Sequence, residues 1–377
     1  MNKILGMKVY DNDWFLKYHF SYSEVAKILK DWGVNLILTQ SKYIPMPDTA
    51  VKSEISNQEK KLYNSYSDLK FREALAKEGI DYYSTILMFF DPSALEKNVK
   101  FSAYDENLKK MKKIDWYIGI PPTMEEHLKN KITLLKKAVK ELNPDGVHLA
   151  FMRWPGFWEL WMPDSKITDF NDYSFDNVSI EKFFYDCKLT KPEIVKNSIP
   201  KWIKENYNNE WISWKCRVVQ NVISKIKFEL QRIKPDLKIM LNTVPFGKHD
   251  YNNAQDKIFG QNFELLSQVV DTFEVMTYHQ ILKRTPEWIK LCGEEIKNRT
   301  KKNTICTIQA QPLYLNGIHQ KENRNTVLNE NEFNECLEFI KDSNIDGAVV
   351  FLFTDFLNQY FKEKNKNLVN KILNFSK

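Results

Sequence analysis

Between Asp145 and Glu159 the chain reads DGVHLAFMRWPGFWE, an apolar run that passes directly into a loop carrying Arg153, Trp154, Trp158 and Glu159. Cleaving a glycosidic bond calls for two carboxyl groups roughly 5–10 Å apart, one to give a proton and one to act as base or nucleophile. Asp11, Asp13, Asp91, Glu159 and Asp355 each stand just beyond an apolar run and are the candidates. Glu159 lies among tryptophans, whose apolar surroundings would raise its pKa toward that of a proton donor. Asp355 is the expected second carboxyl group. Amides and guanidinium groups pair with vicinal hydroxyls, and indole faces pack on the apolar side of a sugar ring. His148, Arg153, Trp154, Trp158, Asn242, Tyr278, His279, Gln309 and Gln311 are therefore the candidate binding residues for a polyhydroxylated ligand.

Each of these has a plainer reading. A loop carboxylate is more often a helix cap or a solvated group. A single tryptophan in 153–161 more often packs its loop onto the body of the protein. Trp154, Phe157, Trp158 and Trp161 fall within eight residues, beside an Arg and a Glu, and this grouping favours binding. His148 and His279 are alternative acid–bases, which would have to converge with Asp11, Asp13 or Asp355 in a lyase or hydrolase. No spacing demands a metal and no cofactor motif is present, so neither is expected.

Eight strand-like runs could position these residues: 4–10, 34–40, 81–90, 146–152, 237–242, 272–278, 304–310 and 347–353. Most are continuously apolar, as strands covered on both faces should be. Helical patterns separate them. Ser21 and Glu24 form a capping pair ahead of VAKILKDW, and Thr123 and Glu126 are expected to open the helix that stops at Asn143-Pro144. Eight alternations predict an α/β chain folded as one (β/α)8 TIM barrel over residues 1–377, with chemistry at the rim where the strands end. A doubly wound open sheet fits less well, because no Gly-rich phosphate loop follows the first strand. Long excursions follow strand three (91–122) and strand four (153–209).

Alternation along a strand assigns faces. His148, Ala150 and Met152 should share one face, as should Lys238, Met240 and Asn242, and Glu274, Met276 and Tyr278. Lys238 and Glu274 lie at equal depth on neighbouring strands, and the expectation is a buried pair low in the barrel.

Composition excludes several classes. With 55 Lys and Arg against 49 acids, net charge is only +6 and the basic residues are scattered, so no nucleic-acid partner is expected. The five cysteines are far apart and lack metal or disulfide spacing. No apolar run reaches the roughly 18 residues that span a bilayer, and the N-terminus lacks a signal-peptide core, so the expected location is cytoplasmic with no membrane partner. Oligomeric state is not readable.

At WYIGIPPT (116–123), DGVHLAFMRWPGFWE (145–159), EWISWKCRVVQNV (210–222), KPDLKIMLNTVPF (234–246) and GQNFELLSQVVDTFEVMTYHQIL (260–282), the chain resembles glycoside hydrolases of the glycosyl-hydrolase-like family 10 type. The resemblance spans roughly residues 70 to 356. It implies a TIM barrel and a carbohydrate substrate, with Arg153, Pro155, Tyr278 and His279 matching the family pattern. Such barrels commonly read DGIHLDYIRYP on strand four, whereas this chain has Ala150 in place of the Asp. Against the chitinase pattern DGxDxDxE it has His148, Ala150 and Met152 at the acidic positions, so substrate-assisted catalysis of that type is not expected. Two readings follow: a glycosidase using Glu159 and Asp355, or a catalytically silent carbohydrate-binding barrel that has lost the strand-four acid.

Overall fold

The computed structural model describes residues 3–45, 56–313, 323–325 and 327–376. Eight parallel strands pair in chain order and the last pairs with the first, closing a barrel. They are β1 (Ile4–Val9), β2 (Leu36–Thr39), β3 (Asp81–Leu87), β4 (Gly146–Ala150), β5 (Lys238–Thr243), β6 (Thr272–Val275), β7 (Asn303–Gln309) and β8 (Gly347–Phe351). A helix follows each strand: α1 (Tyr22–Asp31), α2 (Asp68–Lys77), α3 (Glu125–Leu142), α4 (Asn208–Gln231), α5 (Phe263–Leu266), α6 (Pro286–Thr300), α7 (Glu330–Lys341) and α8 (Asn367–Ser376). The expected (β/α)8 barrel is the observed fold.

Strand alternation divides the core in two. Leu5, Met7, Val9, Val147, Leu149, Phe273, Val275, Ala348 and Val350 point outward and pack under the helices. Leu36, Leu38, Tyr83, Met240, Ile305 and Val349 form a separate apolar layer inside the barrel. Such a filled interior leaves the rim as the place for a ligand.

The Ser21–Glu24 capping pair forms as expected: the Glu24 N–H donates to Ser21 Oγ at 3.3 Å and the Ser21 N–H to Glu24 Oε2 at 2.7 Å. The Thr123 cap does not. α3 starts after Met124 without a side-chain cap, because the Thr123 hydroxyl is paired with Ser179 Oγ at 2.8 Å. Ser179 belongs to Asn177–Asp186, a helix inside the 153–209 excursion that packs over the start of α3. Among the described residues no helix is long and apolar enough to cross a membrane.

Candidate functional site

The deepest polar group in the barrel is Glu274 on β6, which is fully buried. Its carboxylate faces Lys8 Nζ at 3.0 Å and His148 Nε2 at 3.0 Å, and accepts hydrogen bonds from the Asn242 amide and the Thr307 hydroxyl. Burial alone would raise this carboxyl group. The Lys8 charge, followed by His148 and Asn242, outweighs burial and holds the group down to about 2. His148 is also buried, and desolvation lowers its pKa against the pull of Glu274. The neutral ring then donates from Nε2 to Glu274 and accepts at Nδ1 from the Thr85 hydroxyl at 3.1 Å. Lys8 reaches on to the Tyr278 hydroxyl at 3.3 Å.

The expected Lys238–Glu274 pair is therefore wrong. Lys238 is exposed at the start of β5, and the partner of Glu274 is Lys8, reaching across the barrel from β1. Alternation correctly turned both Glu274 and Asn242 inward, but it cannot say which inward residues meet across the interior.

At the end of β4 the chain breaks alternation. Phe151 adopts a left-handed backbone with φ +52°, which is strained for an aromatic residue. Met152 consequently turns out into the core beneath the helices, instead of sharing a face with His148 and Ala150. Arg153 and Glu159 follow, 2 % and 3 % exposed. The guanidinium carbon lies 4.8 Å from the Phe151 ring centroid and 5.9 Å from those of Tyr117 and Phe259. Burial pushes the Glu159 carboxyl up to about 7, with Arg153 and then Arg324 pulling the other way. Glu159 Oε2 has no hydrogen-bond partner among the described residues, nor do Arg153 Nε and Nη1.

Opposite β4, in an eight-strand ring, stands β8. Asp355, in the turn of helix Phe353–Leu357 that follows it, is buried with Oδ2 unpartnered among the described residues. Burial, and then the nearby charge of Asp11, push its pKa up to about 7. Asp11 itself accepts from the Thr354 hydroxyl at 2.6 Å, and burial raises it as well. Glu159 and Asp355 thus follow strands that stand opposite one another in the ring.

The remaining candidates disperse. Trp154 is buried, with its indole N–H donated to the Lys215 carbonyl at 3.1 Å and its ring against Trp214, so it anchors the loop to α4. Trp158 is buried with its ring stacked on Tyr278, centroids 6.2 Å apart. His279 is turned to α7, where Nε2 meets Glu332 Oε1 at 2.9 Å, and it does not converge with His148. Gln309 donates to Gln280 Oε1 at 2.8 Å and to the Gln311 carbonyl at 3.1 Å, while Gln311 is exposed. Asp91 caps Ala94 and pairs with Lys131 at 2.8 Å, and Asp13 pairs with Lys17 at 2.7 Å. Sequence reasoning missed Lys8, whose signal was a lone charge inside the otherwise apolar GMKVY. It also missed Trp116 and Phe151, half-buried aromatics edge-to-face at 6.0 Å beside Arg153. Among the described residues no group of three or more His, Cys, Asp or Glu could hold a metal ion.

No protein-family profile matches the chain, and no curated sequence does. Several solved structures share its fold. The PgaB (BpsB) glycoside hydrolase domain from Bordetella bronchiseptica superposes with a TM-score of 0.63 at 11% identity, over 98% of this chain and 99% of that one. The catalytic domain of a β-amylase from Paenibacillus polymyxa gives 0.59 at 12% identity, over 100% of both chains. A family 42 β-galactosidase from G. stearothermophilus gives 0.62 at 10% identity; the match covers 100% of this chain but only 56% of that enzyme. At these identities the likeness establishes a shared barrel, one that in these structures belongs to glycoside hydrolases.

Proposed function

We propose that the chain is a glycoside hydrolase in which Glu159 is the proton donor and Asp355 the opposing carboxylate. The observation that carries this reading is Glu159 itself. It is a buried carboxyl group at the rim, raised to about 7, with one oxygen unpartnered among the described residues. A group that holds its proton near neutrality and keeps one oxygen unpartnered is suited to giving that proton away. Glu159 protonates the glycosidic oxygen as its bond to the anomeric carbon breaks. Asp355, ionised, takes a proton from the water that attacks from the other face. Both carboxyl groups end the step with their proton states exchanged and return by exchange with solvent.

A second reading rests on Ala150, which ends the inward face of β4, and on Glu274, whose carboxylate is already paired in the barrel centre. By that reading the mouth binds a sugar without cleaving it. The test is a turnover screen on aryl glycosides and oligosaccharides, with Glu159→Gln beside the parent. Turnover that falls on the order of 10²–10⁴-fold in the variant supports the hydrolase. Sugar binding without turnover on any substrate would replace it with the binding barrel.

A further inference from the structure

We propose that the sugar recognised at the β4 rim is acidic, and that its carboxylate is received by the guanidinium of Arg153. The inference rests on the proposed function and names its substrate class. Arg153 is 2 % exposed, yet no ion pair joins it to a carboxylate among the described residues, and Nε and Nη1 donate to nothing there. A buried cation without an anionic partner is destabilising, and an anion that meets it relieves that cost. The guanidinium lies over the rings of Phe151, Tyr117 and Phe259, contacts that leave its Nε and Nη1 donors without an acceptor among the described residues.

Local charge points the same way. Among the described residues, the largest charge that bears on Glu159 is the positive one of Arg153, ahead of Arg324. Arg324 is already engaged: Nε donates to the Ile281 carbonyl at 2.6 Å and Nη2 to the carbonyl of Glu159. Arg153 has no such use. A planar carboxylate matches the spacing of two parallel guanidinium N–H donors better than a hydroxyl does, and the bond is charge-assisted.

The test is calorimetric binding of short oligouronides of glucuronic, galacturonic and mannuronic acid to the full chain. Each is compared with its own methyl ester, which keeps the shape and removes the charge. At least one free acid is expected to bind about tenfold tighter than its ester. That preference should vanish in Arg153→Met and be reduced in Arg153→Lys, which keeps the charge without the fork. Circular dichroism reports whether each variant folds; should Arg153→Met unfold, Arg153→Lys decides. Equal binding of every acid and ester, a preference that survives both variants, or preferential binding of sulfated neutral sugars would overturn the proposal. Because binding needs no turnover, an acid preference without hydrolysis would sink only the hydrolase reading. Hydrolysis of neutral sugars without an acid preference would sink only this one.

Discussion

Glu274 and Glu159 are both buried glutamates of the same barrel, one within β6 and one on the loop after β4, yet burial drives their protons in opposite directions. Around Glu274 every lone pair is answered, by Lys8, His148, Asn242 and Thr307, and the group stays ionised far below neutral pH. Around Glu159 no ion pair with Arg153 forms, one carboxyl oxygen is unpartnered among the described residues, and the proton is kept to about pH 7. Equal burial thus serves two ends. A satisfied charge fixes the interior, because removing any one partner strands the others. An unsatisfied one is a standing free-energy cost that a ligand can relieve.

The largest expected effect is on the rim: Glu159→Gln should lower turnover on the order of 10²–10⁴-fold without any loss of thermal stability. An equal loss of folding would break the contrast. Next comes the centre. Glu274→Gln should destabilise by about 3–5 kcal/mol in urea unfolding, since Lys8 is left buried and unpaired, and the double variant with Lys8→Met should recover much of that loss. The same pair sets the acid limb of stability. The folded pKa of Glu274 is depressed to about 2 from 4.5, so its contribution is present above about pH 4.5 and is lost as pH falls toward 2. Asp355→Asn should reduce turnover on the order of 10²-fold and flatten the acidic side of the pH–rate profile, because the ionisable base is gone. Smallest is Trp154→Phe, which removes one hydrogen bond to the Lys215 carbonyl and should cost about 1 kcal/mol of stability without altering sugar binding.

The barrel was legible because its signal is periodic: continuously apolar runs alternating with amphipathic helices admit few other arrangements. The inward turn of His148, Asn242 and Glu274 followed from alternation alone. What was hidden lies where periodicity stops. Lys8 reaches a partner five strands away in chain order, and no spacing encodes a contact across the barrel. Met152 left its expected face because Phe151 takes a left-handed φ that nothing in its residue type announces. His279 and Gln311 lie beyond strand ends, where loops and α7 decide their direction. Among its aromatic sequence neighbours Glu159 is buried as expected, whereas Trp154, from the same cluster, is a packing residue.

The central contrast is tested most directly by the urea-unfolding free energy of Glu159→Gln against the parent across pH. The folded pKa of Glu159 lies near 7 against an ordinary 4.5, so the parent alone should lose stability as pH rises through that window. Little difference is expected near pH 4. The variant should become the more stable protein toward pH 8, by on the order of 3 kcal/mol, which is the size of the shift between the two states. A gap that stays flat with pH, or a parent that is the more stable at pH 8, would show that Glu159 is held as Glu274 is and would contradict the account.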